Sequence, residues 1–142
     1  MEQRVSLITL GVRDMGREAA FYDSLGWQRV EAQGEGIVVF DLIGQSLGLY
    51  PLADLARDMG VAEERLGCGA ATYAHNVREK AEVARIIEAA RAAGAEILRE
   101  AHDVFWGGHI GYFADPEGHI WEVAFNPHSP LSDTGEFRWS GY

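Results

Sequence analysis

The chain has 142 residues, of which 47% are hydrophobic and 24% are charged, values typical of one folded domain and unlike those of disordered chains. Its 22 acidic residues outnumber its 12 basic ones, giving a net charge of −10 at pH 7, which argues against binding to nucleic acid or to an anionic lipid surface. The single cysteine, Cys68, excludes an intrachain disulfide and a cysteine-rich zinc site.

The first half of the chain alternates strand and helix patterns. Residues 5–12 are apolar and β-branched, which predicts a buried strand. Asp14 is placed to cap a helix that ends at Gly26. Glycine-punctuated apolar segments then predict three strands, at residues 27–32, 36–42 and 45–50. Residues 52–60 have the pattern of a short connecting helix.

The second half follows the same order. Residues 70–77 predict a strand, and residues 78–93 carry the strongest helical pattern of the chain, with apolar and charged residues on opposite faces. Gly94 ends this helix. Three further strands are predicted at residues 96–99, 109–114 and 119–125. In this interpretation His102 lies in a loop.

The two halves align as an internal repeat. Asp14 corresponds to Glu79, and Gly44 corresponds to Gly118. Each half then has the order strand, helix, three strands. Two such βαβββ modules predict an α+β fold in which a single mixed sheet curls around a pocket. The alternative is a coincidence between two ordinary α+β segments.

Two segments carry a resemblance to a known family. Residues 12–27, which read VRDM…FY…LGW, and residues 115–122, which read DPEGHIWE, resemble the first strand and helix and the C-terminal hairpin of the vicinal oxygen chelate superfamily. That superfamily groups glyoxalase, bleomycin-resistance and extradiol dioxygenase proteins. The resemblance extends over residues 5–127. It implies two βαβββ modules that form a cupped mixed sheet, often completed by homodimerisation.

This organisation gives one domain over residues 1–127, with modules at about residues 5–50 and 69–127. The remaining residues, 128–142, are polar but contain three aromatic side chains: Phe137, Trp139 and Tyr142. Because aromatic side chains favour burial, we expect this extension to pack on the domain or on a dimer partner.

The resemblance also implies a place for a metal. In that superfamily the site takes a histidine from the first strand of each module and a carboxylate from the last strands. By the internal repeat these positions hold Leu7, Gly48, Thr72 and Glu122. Leucine and glycine have no ligating side chain, and threonine is a poor neutral donor. We therefore expect no metal and no other cofactor, with Glu122 a ligand only in a non-standard site.

Glu122 lies in an apolar strand, where a carboxylate must be hydrogen-bonded, paired or protonated. The turn at residues 115–118 predicts a hairpin register in which Glu122 faces Tyr112. A slip of one residue would bring His109 to that face instead. Glu122 and Tyr112 are thus the candidate catalytic pair for acid–base chemistry. The alternative is a structural glutamate held by a core tyrosine.

Other side chains are expected to line a ligand pocket. Trp106 lies in a glycine-containing loop that could wall such a pocket or, alternatively, plug the end of the sheet or a dimer seam. Tyr50 lies two residues beyond Gly48 on the same predicted face. For each histidine, an ordinary polar or partly buried role is favoured over metal ligation. The predicted ligand-binding set is Tyr50, Thr72, Trp106, His109, Tyr112 and Glu122.

Three functions fit these features. The favoured one is a metal-independent small-molecule-binding protein of the bleomycin-resistance kind, whose apolar cup uses Glu122 for orientation. The second is a lyase or dioxygenase with a non-standard or metal-free acid–base site around Glu122. The third is a structural or partner-binding domain with a filled cup. We expect a cytoplasmic homodimer with an unidentified small ligand and no nucleic-acid or membrane partner, because the sequence shows no signal peptide and no long apolar run.

Overall fold

The computed structural model describes residues 3, 5–30, 36–68 and 70–141. The elements, in chain order, are β1 (Leu7–Val12), α1 (Met15–Ser24), β2 (Val38–Leu42), β3 (Gln45–Pro51), α2 (Leu52–Met59), a 3-10 turn (Glu63–Arg65), β4 (Tyr73–Asn76), α3 (Lys80–Ala92), β5 (Glu96–Asp103), β6 (His109–Ala114) and β7 (Ile120–Phe125). Positions 31–32 of a predicted strand, and Tyr142, lie outside the described residues. None of the helices in the described part of the chain is long and apolar enough to cross a membrane.

The chain divides into two compact units, Met1–Gly67 and Cys68–Tyr142. The sheet of the first unit has the strand order β1-β3-β2, and that of the second has the order β4-β7-β6-β5. In the first sheet β1 pairs in parallel with β3, and β3 pairs antiparallel with β2. In the second sheet β4 pairs in parallel with β7, and β7 pairs antiparallel with β6. The α+β fold class is confirmed. The strands form two sheets rather than the single predicted sheet, because each set pairs within its own unit. The sequence repeat and the domain limits stay predictions.

The first unit is built on α1. The Asp14 carboxylate accepts a hydrogen bond from the backbone N–H of Arg17 at 2.9 Å, which confirms the predicted cap. Helix α1 buries Phe21 and Tyr22, in a core whose strand side chains are Leu10, Phe40, Leu47 and Leu49. Burial of such apolar side chains is the main stabilising term of the unit.

The prediction of a strand at residues 27–32 is wrong for residues 27–30, the part of this segment that the structure describes. Only an isolated bridge between Arg29 and Phe40 is present there. The segment is held by side chains instead. The Trp27 ring stacks on Tyr22 with 5.1 Å between ring centroids, and the Arg29 Nε donates to Asp23 at 3.1 Å. These contacts replace a continuous backbone ladder.

The second unit is built on α3, which contacts β5, β6 and β7. Val83, Ile87 and Ala90 are its buried side chains, as its amphipathic pattern predicts. A Cβ atom at Gly111 would lie 3.0 Å from the Ile87 side chain. Gly111 and its alternate neighbours in β6 therefore face α3, and Tyr112 lies on the opposite side. We call the side of this sheet that is turned away from α3 the far face.

Strand β5 runs from Glu96 to Asp103, four residues beyond its predicted end at Arg99. Two register shifts against β6 interrupt it, one on either side of Arg99. Such bulges insert an extra residue without ending the ladder. His102 therefore lies in a strand, paired with Ile110, and the prediction that it lies in a loop is wrong.

The hairpin between β6 and β7 is fixed by a buried aspartate. Asp115 is 3% exposed, and its Oδ1 accepts hydrogen bonds from the backbone N–H groups of His119 at 2.8 Å and Glu117 at 3.2 Å. The turn closes through Gly118, whose φ of 94° requires glycine. The resulting register pairs Tyr112 with Glu122, which confirms the predicted register and excludes the one-residue slip.

The C-terminal segment is tied to the second unit by polar contacts. The buried Ser129 hydroxyl donates to the Gly141 carbonyl at 3.0 Å, and the Arg78 guanidinium donates to the Asp133 carbonyl at 3.1 Å. Phe137 and Trp139 are 40% and 64% exposed, so each of these two residues is only partly covered.

Replacing Asp115 tests the hairpin. We expect Asp115→Ala to lower the free energy of unfolding by about 2–3 kcal/mol, because two partly buried backbone N–H groups lose a charged acceptor. The matched variant Asp115→Asn keeps an oxygen at Oδ1 and should cost about 1 kcal/mol. Denaturation in urea measures both. Equal losses in the two variants would show that these hydrogen bonds do not fix the turn.

Candidate functional site

The central feature of the far face is a facing pair, Tyr112 and Glu122. The two residues are directly paired on β6 and β7, and the carboxylate acts on the tyrosine hydroxyl through its charge and a hydrogen bond, both of which raise the tyrosine pKa. Both side chains are half-buried. The far-face positions before and after them on the two strands are apolar: Ile110, Ala114, Ile120 and Ala124. Of these, Ile110, Ala114 and Ala124 are buried, so the pair is a polar centre among largely buried apolar side chains.

The protonation of Tyr112 follows from its surroundings. Burial raises the pKa of the Tyr112 hydroxyl, and the negative charge and hydrogen bond of Glu122 raise it further, while the positive charge of Arg99 opposes this shift. Arg99 is the residue paired with Tyr112 on the other side, in β5. At neutral pH Tyr112 is therefore a neutral donor to Glu122. The carboxylate keeps further lone pairs for a donor on a ligand.

Ala74 extends the far face along the edge strand, where it is paired with Glu122. Thr72 lies directly before this strand and is exposed. Its ligand-binding role stays a prediction.

His109 is not brought to Glu122. It is paired with Phe125 and lies on the side that faces α3. There its Nδ1 is 2.7 Å from Asp103 Oδ1, which also forms an ion pair with Lys80 at 2.5 Å. Hydrogen bonds with Lys80 and with His109 lower the pKa of Asp103, and the positive charge of Lys80 adds to this shift. His109 thus belongs to a polar cluster at the start of α3, apart from the far face.

Trp106 is folded back on its own loop. A Cβ atom at Gly108 would lie 1.9 Å from its ring, so the ring packs directly against that glycine. The Trp106 carbonyl accepts a hydrogen bond from His128 Nε2 at 3.1 Å. The ring is half-buried. Its role as a wall for a ligand stays a prediction.

The remaining predicted residue, Tyr50, lies in the first unit. Its hydroxyl donates to Asp58 in α2 at 3.2 Å. At Gly48, two residues earlier, a Cβ atom would lie in contact distance of Ile37 and Leu7, 3.4 Å from each side chain. The space left by the missing side chain at Gly48 is therefore bounded by these two apolar neighbours.

The residues at the four family metal positions do not fit a divalent ion. Leu7 and Gly48 offer no ligating side-chain atom, Thr72 offers a neutral hydroxyl, and Glu122 alone offers a charged oxygen ligand. Within residues 3, 5–30, 36–68 and 70–141, no three or more His, Cys, Asp or Glu side chains form a group that could hold a metal ion. A lone carboxylate is a weak site for a divalent cation.

His102 is the far-face residue that sequence reasoning misses. Its partner in β6 is Ile110, two residues from Tyr112, and directly paired residues in an antiparallel ladder point to the same face. The half-buried imidazole therefore lies one step along the sheet from the Tyr112–Glu122 pair. The two bulges that carry β5 to this position have no clear signal in the sequence.

Comparisons with known proteins agree on the family. A family model described as Glyoxalase/Bleomycin resistance protein/Dioxygenase superfamily matches residues 4–123. The structure is similar to that of a glyoxalase-related enzyme from Fulvimarina pelagi, with a TM-score of 0.90 and 38% identity over 99% of this chain and 100% of that one. No curated protein matches the sequence.

More distant structures share the fold alone. A glyoxalase/bleomycin resistance protein/dioxygenase family enzyme from Burkholderia phytofirmans PsJN has a TM-score of 0.76 and 20% identity, over 84% of this chain and 96% of that one. A lactoylglutathione lyase from Agrobacterium tumefaciens has a TM-score of 0.67 and 22% identity, over 89% and 96%. The predicted family resemblance is confirmed.

The Tyr112–Glu122 bond can be tested by titration. The difference in tyrosinate absorbance between the wild-type protein and Tyr112→Phe reports the titration of Tyr112. We expect the pKa of Tyr112 to lie above the usual value of about 10 and to be lower in Glu122→Gln. Because the folded pKa lies above the unfolded one, the free energy of unfolding should fall as the pH rises through this interval.

The Tyr50 hydroxyl is the internal control, since burial and its bond to Asp58 raise its pKa and Glu122→Gln should leave it unchanged. A Tyr112 pKa at or below about 10, or one insensitive to Glu122→Gln, would contradict the pairing.

Proposed function

Since the chain belongs to the glyoxalase/bleomycin resistance protein/dioxygenase superfamily, we propose that it is a metal-independent binding protein for a small molecule. The ligand lies on the far face of the second unit's sheet. It has an apolar body and a cationic or hydrogen-bond-donating group that meets Glu122. A cytoplasmic location and a homodimer are part of the same proposal.

The observation that carries the proposal is the Tyr112–Glu122 pair itself. Holding a carboxylate between Ile120 and Ala124 on an apolar face costs free energy unless hydrogen bonds offset it. Tyr112 provides one such bond and leaves the remaining oxygen lone pairs to a ligand. Apolar surface around a few placed polar groups is the usual composition of small-molecule sites.

The donor chemistry supports a metal-independent mode. A metal ion would have to be held by Glu122 with at most a threonine hydroxyl beside it in the second unit, and such a set gives neither affinity nor a defined geometry. Recognition then depends on the charge and hydrogen bonds of the protein's own side chains. Glu122 orients the ligand, and Arg99 places a positive charge on the other side of Tyr112.

A second candidate is favoured by the likeness to the 38%-identical structure, which is described as a glyoxalase-related enzyme. In that case Glu122 would accept a proton from a carbon next to a carbonyl group, with Tyr112 as the neutral donor beside it. Exchange of the carbon-bound protons of hydroxyacetone in D₂O, lost in Glu122→Gln, would establish this function over simple binding.

The binding proposal is tested with three probes of the same shape. Benzylamine, benzyl alcohol and benzoate share an aromatic body and differ in the charge of their polar group. We expect benzylamine to raise the melting temperature by about 3–6 °C at roughly tenfold excess over its Kd. Benzyl alcohol should act more weakly, and benzoate should have no effect, because Glu122 repels an anion.

The control separates Glu122 from the general negative charge of the chain. Glu122→Gln should abolish the benzylamine shift, whereas Glu64→Gln, at an exposed position of the first unit, should retain it. Equal shifts with benzylamine and benzoate, or a benzylamine shift unaffected by Glu122→Gln, would contradict the proposed function.

A further inference from the structure

A nucleophile and a base, Cys68 and His119, meet at the turn between β6 and β7. The Cys68 Sγ lies 3.5 Å from His119 Nδ1 and 3.8 Å from the backbone carbonyl of Glu117. The imidazole nitrogen is thus the nearer of these two acceptors for the thiol proton. A nucleophilic side chain within hydrogen-bond reach of a base is the arrangement that activates cysteines in proteins.

The turn fixes the backbone of the histidine. The N–H of His119 donates to Asp115 Oδ1 at 2.8 Å, and the carbonyl of His119 accepts from the Asp115 N–H at 3.0 Å. Asp115 is buried, and the His119 side chain is half-buried. Because both backbone groups of His119 are bonded to a buried residue, its ring extends from a fixed position beside the thiol. A base oriented by a third group completes the arrangement of an activated nucleophile.

The thiol itself is open to solvent. Cys68 is exposed, although cysteine is among the residue types most often buried. Structural cysteines in apolar surroundings are inert, whereas reactive ones are partly exposed beside a base or a positive charge. A Cβ atom at Gly118 would lie 4.0 Å from the sulfur, so the turn residue next to the thiol carries no side chain that covers it.

The pair lies in a region of negative charge. Burial and the charges of Cys68 and Asp115 raise the pKa of the Tyr73 hydroxyl, which lies near them at the start of β4. The chain as a whole carries a net charge of −10. A cationic reagent is therefore attracted to this part of the surface, and an anionic one is repelled.

We propose that Cys68 and His119 form a thiol–imidazole pair that exchanges with cationic low-molecular-weight disulfides. His119 Nδ1 accepts the thiol proton, and the Cys68 thiolate attacks one sulfur of the disulfide. The S–S bond of the reagent breaks as a new S–S bond to Cys68 forms, and the departing thiolate takes the proton from His119. Cys68 is oxidised and the departing sulfur is reduced, so the disulfide is the only oxidant in the step.

The product is a mixed disulfide that only a thiol from outside the chain removes. Cys68 is the single cysteine, so the chain has no second thiol to displace the bound group. Cys68 is therefore a site of reversible modification by small disulfides. This inference does not rest on the proposed function, since neither residue belongs to the Tyr112–Glu122 pair.

The first test compares the folded and unfolded chain. We expect cystamine at pH 7 to modify the folded protein about three- to tenfold faster than the protein unfolded in urea, after each rate is divided by that of N-acetylcysteine amide in the same solution. The base raises the thiolate fraction, which is roughly a few per cent for a free cysteine, and the lower nucleophilicity of such a thiolate offsets part of the gain. Mass spectrometry of the intact chain measures the mixed disulfide.

Three disulfides of similar length test the charge preference. Cystamine is cationic, bis(2-hydroxyethyl) disulfide is neutral and 3,3′-dithiodipropionate is anionic at pH 7. Relative to N-acetylcysteine amide, we expect the rates on the folded protein to fall in that order. The differences between the three rates should shrink in high salt, because ions screen the charge of the protein.

The role of the histidine is tested with a matched pair of variants. His119→Asn should slow the exchange with cystamine about three- to tenfold at pH 7, and the loss should disappear at about pH 10, where the thiol ionises without a base. His75→Asn changes an exposed histidine of β4 in the same unit and should leave the rate unchanged. The comparison of folded and unfolded wild-type protein stands if either variant fails to fold.

Three results would overturn the inference. Folded protein that reacts no faster than unfolded protein shows that folding does not activate the thiol. A rate that His119→Asn leaves unchanged at pH 7, or slows equally at about pH 10, shows that the imidazole does not act as the base. Equal or faster exchange with 3,3′-dithiodipropionate than with cystamine excludes the cationic class.

Discussion

The hydrogen bonds of one buried carboxylate fix the geometry on which the candidate site depends. Asp115 accepts two backbone N–H groups of the turn between β6 and β7, and the turn determines which residues of the two strands face each other. A slip of one residue would move Glu122 away from Tyr112 and against α3. Asp115 does not contact the proposed ligand, but its hydrogen bonds determine the position of Glu122, which does.

The two units share a strand register but not the chemistry at corresponding positions. In the first unit Thr9 is paired with Gly48, and in the second Ala74 is paired with Glu122, with the same parallel pairing of first and last strands. At Gly48 there is no side chain, and Ile37 and Leu7 lie close to the position. At Glu122 a carboxylate is held by a neutral tyrosine. The polar function we propose is therefore confined to the second unit, where the cost of burying polar groups is offset by hydrogen bonds.

The sequence predicts the hairpin well because its signals are local. Proline and glycine at Pro116 and Gly118 specify the turn, and the turn specifies the facing pair Tyr112 and Glu122. The path of β5 is not predictable in this way. Its bulges depend on pairing with β6 and on packing against α3, so that His102 enters the far face through tertiary structure. Trp106 is a similar case, since its glycine-containing loop fits a pocket wall or a plug of the sheet end or a dimer seam, and only the tertiary structure shows that the ring packs against Gly108.

We propose above all that recognition at Glu122 needs no metal. The amount of metal bound to the protein tests this most directly. The protein and its Glu122→Ala variant would be incubated with manganese, iron, nickel or zinc, desalted and analysed by mass spectrometry for bound metal. We expect far less than one ion per chain and no difference between the two proteins, because a lone carboxylate is a poor donor set. An ion bound near stoichiometry to the wild-type protein and lost in Glu122→Ala would contradict it.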